Sequence, residues 1–191
     1  MKSVQLYRSI CLGVCMTSVA ALSSSCSVLA QGGSMQNSTP ATQSTNSSLS
    51  AVDRQFITKA AQSDMTEIKT SQLALQRSRD PKVKQFAQMM ITQHTQSSSK
   101  LKPIAMQKSV MLPTSLGAEN SALVSQLTKL SGTQFDQAYM NGQVKSHAKT
   151  EAVYQKELKQ GQDADVKGFA NQVLPIVTEH LQMAKTIVAR R

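Results

Sequence analysis

The sequence of 191 residues has no tryptophan, few other aromatic residues and only three cysteines. The cysteines, Cys11, Cys15 and Cys26, all lie near the amino terminus. If that segment is removed from the mature chain, no disulfide and no cysteine nucleophile remains. The sequence also lacks a Gly-x-Ser-x-Gly motif and a phosphate-binding glycine loop. These absences argue against the common hydrolase and nucleotide-binding classes and favour a protein that is not an enzyme.

The first 30 residues have the pattern of a secretory signal peptide. Lys2 and Arg8 precede an apolar run over residues 10–22 that is too short to span a bilayer. Ala30, with another small apolar residue two positions before it, is the kind of site that signal peptidase accepts. We therefore predict an exported protein, periplasmic or secreted after cleavage near Ala30. The alternative is a lipid anchor at Cys26, although the aliphatic residue of a lipobox is missing three positions before it.

The segment that follows the predicted leader cannot form a core. From Gln31 to Ser48 it consists almost entirely of small and polar residues, and Met35 is its only large apolar side chain. Such a composition is typical of disorder. We predict a disordered tether over residues 31–49 and a folded domain over residues 50–189.

The predicted mature chain is basic. Of the 21 Lys and Arg residues, Lys2 and Arg8 belong to the leader, which leaves 19 against 11 Asp and Glu and a net charge of about +8 at neutral pH. The basic residues are scattered, and few aromatic residues accompany them, so nucleic-acid binding is not predicted. We expect the partner to be an envelope protein or an anionic envelope polymer or lipid, and the oligomeric state stays open.

Capping signals divide the domain into helices. Ser50 with Asp53, Asp80 before Pro81, and Asp163 are predicted helix starts. The predicted helices cover residues 50–78, 81–108, 118–130, 133–161 and 164–189, with Thr133 as the start of the fourth. No segment alternates as a strand does, so the predicted fold class is all-α. Two helical hairpins joined by a long crossover with a short helix correspond to a ferritin-like four-helix bundle.

The chain contains three histidines, and each lies on the apolar face of a different predicted long helix. His94 and His180 lie within narrow apolar stripes, and His147 lies on a broader face. Glu67 lies on a fourth long helix, on a face too apolar for a carboxylate without a partner. At a rise of about 1.5 Å per residue, all four lie near the middle of their helices, so we expect them to converge.

This convergence predicts a site for one divalent transition-metal ion inside the bundle. The predicted ligands are Glu67, His94, His147 and His180. The candidates for hydrogen bonds to these ligands are Glu151, Tyr139 and Tyr154. Three imidazoles and a carboxylate suit zinc, copper, nickel or ferrous iron. The alternative is a buried hydrogen-bond network without a metal.

Two other metal sites are not predicted. A di-iron site of the ferritin type needs Glu-x-x-His motifs, but Ile91 and Val177 stand three residues before His94 and His180. The methionines are dispersed over several helices, which favours core packing over a methionine site for Cu(I).

Several short segments occur in a characteristic order along the domain. They are Phe56 to Glu67, Val83 to Ala87, His94-Thr95, Gly132 with Phe135-Asp136 and Tyr139, His147, and Phe169-Ala170 through Leu174-Pro175 to His180-Leu181. Together they resemble the bacterial domain-of-unknown-function family 4142 over about residues 50–188. The resemblance implies an exported, ferritin-like helical protein of the kind often labelled an outer-membrane protein, and it implies no established activity. Gln93 is a departure, because the family commonly has an aspartate at this position.

The sequence thus predicts an exported envelope protein that binds a metal ion or a small ligand through a Glu/His cluster. The alternative function is a non-catalytic interaction or structural module of the envelope, in which the same cluster only stabilises the core. A large apolar surface patch without convergent histidines would favour that alternative.

Overall fold

The computed structural model describes residues 49–190, which form five α-helices. They are α1 (Ala51–Arg77), α2 (Pro81–Gln107), α3 (Ala118–Leu127), α4 (Gly132–Gln160) and α5 (Ala164–Ala189). No strand occurs within residues 49–190, so the all-α prediction is confirmed. The predicted leader, Cys26 and the tether up to residue 48 lie outside the described residues. No described helix has an apolar stretch of the length that a membrane crossing requires.

Side-chain caps begin three of the long helices as predicted. Ser50 and Asp53 form a reciprocal capping box at the start of α1. Asp80 accepts hydrogen bonds from the first backbone amides of α2, and Asp163 does the same for α5. The predicted start of α4 at Thr133 is wrong, because the helix begins at Gly132.

The different start of α4 has a physical reason. Gly132 has a φ of 56°, in the left-handed region that glycine adopts at little cost. The chain can therefore turn at Gly132, and the amide of Phe135 bonds to the carbonyl of Ser131 at 3.3 Å, ahead of Thr133. Ser131 thus becomes the N-cap residue, although its side chain makes no capping hydrogen bond.

Two apolar clusters fill the interior and show how the long helices are directed. The first cluster combines the amino-terminal halves of α1 and α5 with the carboxyl-terminal halves of α2 and α4, and it includes Phe56, Leu101, Tyr154 and Phe169. The second cluster combines the opposite halves and includes Ala74, Phe86, Phe135 and Ala184. Helices α1 and α5 therefore run in one direction, and α2 and α4 run in the other. Contacts join α1 to α2 and α4, and α5 to α2 and α4. The ferritin-like classification stays a prediction.

The connection between the two helix pairs carries α3, which packs on the outside of α1 and α4. Leu127 is the one residue of α3 that is buried. At the other end of the domain, Leu49 belongs to the predicted tether but is buried in the first apolar cluster. An apolar side chain next to a helix start gains by such burial.

Candidate metal centre

The three histidines form one group between the two apolar clusters. His94 comes from α2, His147 from α4 and His180 from α5, so three different helices supply them. Their ring centroids are 5.8 Å apart for His94 and His147, 5.4 Å for His94 and His180, and 5.3 Å for His147 and His180. One ring nitrogen of each lies within 4.8 Å of those of the other two. The predicted convergence of the histidines is thus present in the structure.

Packing explains why these polar rings lie in the interior. Each histidine lies within the buried, mostly apolar stripe of its helix. The relative exposures are 5% for His94, 2% for His147 and 1% for His180. Met90 precedes His94 by one turn, and Leu181 directly follows His180, and both are buried. The apolar neighbours on the same faces therefore carry the rings into the core with them.

One nitrogen of each imidazole is hydrogen-bonded to a residue outside the group. His94 Nδ1 donates to Asp64 Oδ1 at 2.8 Å, and His147 Nδ1 donates to the backbone carbonyl of Gln143 at 2.9 Å. His180 Nε2 donates to the side-chain oxygen of Gln93. Because a carboxylate, a carbonyl and an amide oxygen only accept, each bonded nitrogen carries the proton. These three contacts set the tautomer of every ring.

The other nitrogen of each ring is buried and lacks a hydrogen-bond partner among the described residues. His94 Nε2, His147 Nε2 and His180 Nδ1 have no hydrogen-bond partner within the described part of the chain. A buried acceptor without a partner is uncommon in native proteins and calls for an explanation. A metal ion fits these atoms, because it binds the unprotonated nitrogen of an imidazole whose other nitrogen is held by an acceptor. The donor set is that of a three-histidine site.

Burial keeps two of the three rings uncharged. Burial lowers the pKa of His180 to about 3, and the neighbouring His94 and His147 lower it further. Burial also lowers the pKa of His147, and this effect outweighs the opposing influence of Glu67. Both rings are therefore neutral at physiological pH, which is the form that coordinates metals.

Glu67, the predicted fourth ligand, is buried but does not belong to the group of three histidines. Its Oε2 accepts a hydrogen bond from Gln143 Nε2 at 2.5 Å. The backbone carbonyl of Gln143 accepts from His147 Nδ1, and the charge of Glu67 also acts on that histidine, because it opposes the lowering of the His147 pKa. The side chain of Glu67 lies on the buried face of α1, as predicted, but its hydrogen-bond partner is the amide of Gln143 and not an imidazole.

The three residues predicted to support the ligands bond elsewhere. Glu151 accepts a hydrogen bond from Thr178 at 2.7 Å and so joins α4 to α5. Tyr139 pairs with Ser71 at 2.9 Å within the second apolar cluster. Tyr154 packs against Phe56 in the first cluster, with ring centroids 4.8 Å apart. The hydrogen-bond partners of the imidazoles are Asp64, Gln143 and Gln93 instead.

The sequence contained signals for two of the partners that were not predicted. Asp64 is four residues after the buried Ala60, so α1 turns both toward the core, and its second oxygen accepts from Ser98 at 3.2 Å. Gln93 is the position at which the chain departs from the resemblance to the family. Like an aspartate, Gln93 offers a side-chain oxygen that accepts a hydrogen bond from His180, but it carries no negative charge.

A small cavity of about 30 Å³ adjoins His94 and His180. This volume exceeds the roughly 10–15 Å³ that one water molecule needs. The exposed side chains of Gln96 and Lys100 border the cavity on α2, and the partly exposed Ile176 borders it on α5. A small ligand beside the histidines would therefore have a route to solvent between α2 and α5.

Comparisons with known proteins place the chain in a family. The model of DUF4142, a domain of unknown function, matches residues 38–187, so the chain belongs to this family and the suspected resemblance is confirmed. No curated protein matches the chain.

Solved structures show the same type of fold at low sequence identity. A DUF305 fragment from Deinococcus radiodurans is similar with a TM-score of 0.67 and 14% identity, covering 75% of this chain and 99% of that one. CopM in its Cu(II)-bound form has a TM-score of 0.58 and 13% identity, with 72% and 96% of the two chains covered. CopM in its Cu(I)-bound form has a TM-score of 0.60 and 15% identity, with the same coverage.

Proposed function

We propose that this DUF4142 protein binds one transition-metal ion through His94 Nε2, His147 Nε2 and His180 Nδ1, and that copper is the first candidate. The observation that carries the proposal is the set of three buried lone pairs without partners in one group of rings. Each unsatisfied buried acceptor costs about 1–3 kcal/mol. A metal ion satisfies all three at once.

The distances between the rings are compatible with a metal after a small adjustment. Metal–nitrogen bonds of about 2.0–2.1 Å place the nitrogens of a tetrahedral site about 3.4 Å apart. One nitrogen of each ring lies within 4.8 Å of one nitrogen of each of the other two. Rotations of the imidazoles that move each nitrogen by about 1 Å are therefore enough. The adjoining cavity leaves room for a fourth ligand, such as water.

The choice of copper follows from the ligand set. Neutral imidazoles suit copper, zinc, nickel and iron, and among divalent ions Cu²⁺ is bound most tightly by a given nitrogen site. Glu67 is not in the group, so a carboxylate that would favour harder ions is missing from the three proposed ligands. The structural neighbour CopM is described in Cu(II)-bound and Cu(I)-bound forms. Zinc is the second candidate.

The setting that we propose is the cell envelope, where the exported domain with its ferritin-like arrangement holds or carries the ion. The structure gives less support to the alternative of an interaction module. Among the described residues the highly exposed large apolar side chains are Met106 and Met111, and two side chains do not make an extended docking face. A metal-binding role therefore explains more of the observed geometry.

The test is a titration of the metal-free protein, purified without a histidine tag, with Cu(II), Cu(I) and Zn(II). We expect one ion per chain, and nitrogen hyperfine splitting from imidazoles in the electron paramagnetic resonance spectrum of the Cu(II) form. Replacing any one histidine with glutamine should weaken binding by at least about 100-fold, beyond the effect of losing a partner that only orients a ligand.

Ser71→Ala is the matched control, because it removes a buried polar group that bonds Tyr139 and not a histidine. Its metal affinity should equal that of the wild-type protein. Circular dichroism of each metal-free variant confirms the fold. Absence of bound metal in the wild-type protein, or binding that survives all three histidine substitutions, would refute the proposal.

A further inference from the structure

A second cavity lies apart from the histidine rings, in a groove between α1, α3 and α4. Its volume is about 640 Å³, within the range of about 300–1,000 Å³ that is common for small-molecule sites. None of the three histidines lines it. The groove is therefore a candidate site for a different ligand.

The inner wall of the groove carries apolar residues beside the polar Ser63, Thr66 and Glu67. Leu123 of α3 and Val153 of α4 line it together with the small residues Ala60, Ala122 and Gly142. A Cβ atom at Gly142 would lie 3.5 Å from Leu123 Cδ1, in ordinary van der Waals contact, so a side chain larger than alanine there would extend into the groove. An apolar body of a ligand would fit against this wall and gain by burial.

Three exposed lysines line the groove, namely Lys59 of α1 and Lys145 and Lys149 of α4. Glu119, in the first turn of α3, forms an ion pair with Lys149. The hydrogen bond and charge of Lys149 lower the pKa of Glu119, and the charges of Lys145 and Lys59 add to this effect. All three lysines thus act on one carboxylate, while Lys59 and Lys145 have no ion-pair partner within the described residues.

Helix α3, which covers one side of the groove, is packed against the domain through few buried side chains. Helix α3 has one buried side chain, Leu127, at its end, whereas the long helices each bury eight or more residues. It begins after Gly117, whose φ of 82° favours glycine. Displacing α3 therefore exposes little apolar surface, so a ligand could enter beneath it at low cost.

We propose that this groove binds a small amphipathic carboxylic acid, with its carboxylate at Lys59, Lys145 and Lys149 and its apolar chain against the inner wall. Without a ligand, the carboxylate of Glu119 pairs with Lys149 and so occupies part of the position that we propose for the carboxylate of the ligand. The buried carboxylate of Glu67 also lines the groove and would repel a second negative charge. The head of the ligand therefore belongs at the lysines and its apolar chain inside.

The test is calorimetric titration of the protein with decanoate, and with decanol as the uncharged comparison. Lys59→Gln with Lys145→Gln should weaken decanoate binding by about three- to tenfold, as expected for two partly exposed ion pairs. Glu119→Gln should strengthen it by about two- to fivefold, because Lys149 is released for the ligand. Gly142→Leu should abolish it by filling the groove. High salt should weaken decanoate binding and leave decanol binding unchanged.

The control is the double variant Lys84→Gln with Lys185→Gln, which removes the same charge from exposed positions outside the groove. It should bind decanoate like the wild-type protein. The proposal is overturned if decanoate does not bind, if this control weakens binding as much as the groove variant does, or if decanol binds equally well. The titration uses metal-free protein, so its failure leaves the metal proposal intact, and failure of the metal titration leaves this one intact.

Discussion

A pair of buried carboxyl groups gives the sharpest prediction for stability. Asp53 and Glu157 are both fully buried. Burial raises the pKa of Asp53, but hydrogen bonds from Ser50 and from the amides of Asp163 and Gln162 outweigh it and lower the pKa to about 2. Burial and the nearby Asp53 raise the pKa of Glu157 from 4.5 to about 7. Below pH 7, Glu157 therefore holds a proton and donates it to Asp53 in a hydrogen bond.

Replacing Glu157 with glutamine tests this protonation state. The amide keeps the shape of the side chain and a donor for Asp53, but it cannot ionise. In the wild-type protein the raised pKa contributes stability that is fully present below pH 4.5 and is lost as the pH rises through about 7. The loss between pH 5 and pH 8 is about 2.5 kcal/mol. The free energy of unfolding of Glu157→Gln should rise relative to wild type by this amount over the same interval.

Urea unfolding of both proteins at intervals from pH 5 to pH 8 measures the difference. The difference is needed because the lowered pKa of His180 changes stability in the opposite direction over part of this range. Glu179→Gln, at an exposed position of α5, is the control and should give a flat difference curve. A flat curve for Glu157→Gln as well would show that Glu157 is ionised at neutral pH, and the reasoning would be refuted.

Four further predictions concern Gly161, Gly168 and the histidine group. Gly161→Ala should destabilise the protein by about 1–3 kcal/mol in urea unfolding, because its Cβ would lie 2.6 Å from the carbonyl oxygen of Glu157. Gly168→Ala, where a Cβ meets nothing within 4 Å, should stabilise it by about 0.5–1 kcal/mol. A destabilised Gly168 variant would contradict this. The neutral forms of His180 and His147 both contribute stability above pH 6.5, so metal-free Glu157→Gln should lose at least about 2 kcal/mol between pH 7 and pH 5. A stability independent of pH would argue against a buried neutral ring. Asp64→Asn should weaken metal binding by about 10–100-fold in the titration, and an unchanged affinity would exclude Asp64 as a positioning residue.

The helices could be predicted from the sequence because their signals are local. The caps at Ser50, Asp80 and Asp163 depend on backbone amides two or three residues away. The inward direction of the histidines depends on the period of 3.6 residues, which is also local. The start of α4 was missed because the positive φ of Gly132 follows from how the chain turns there, which the pattern does not show.

The partners of the histidines could be predicted less well because they depend on contacts between helices. Periodicity places Glu67 on the inner face of α1, but it does not show that Gln143 of α4 reaches Glu67 first. In the same way, the contact of Gln93 with His180 joins residues 87 positions apart. The close approach of Glu157 to Gly161 depends on how α4 ends, so local patterns do not reveal the contact between these two residues.

The positions of the protons in the histidine group help to distinguish a metal site from a hydrogen-bond network that only stabilises the core. In a self-sufficient network, one imidazole would donate to the lone pair of another. Here the protons of His94, His147 and His180 are all used by Asp64, Gln143 and Gln93. A further proton on His180 is opposed by burial and by the other two rings. The second nitrogens of the three rings thus lie buried with no hydrogen-bond partner in the described chain, and apolar side chains would fill the same layer at lower cost. A bound cation removes this deficit, and for this reason the geometry supports metal binding over a purely structural role.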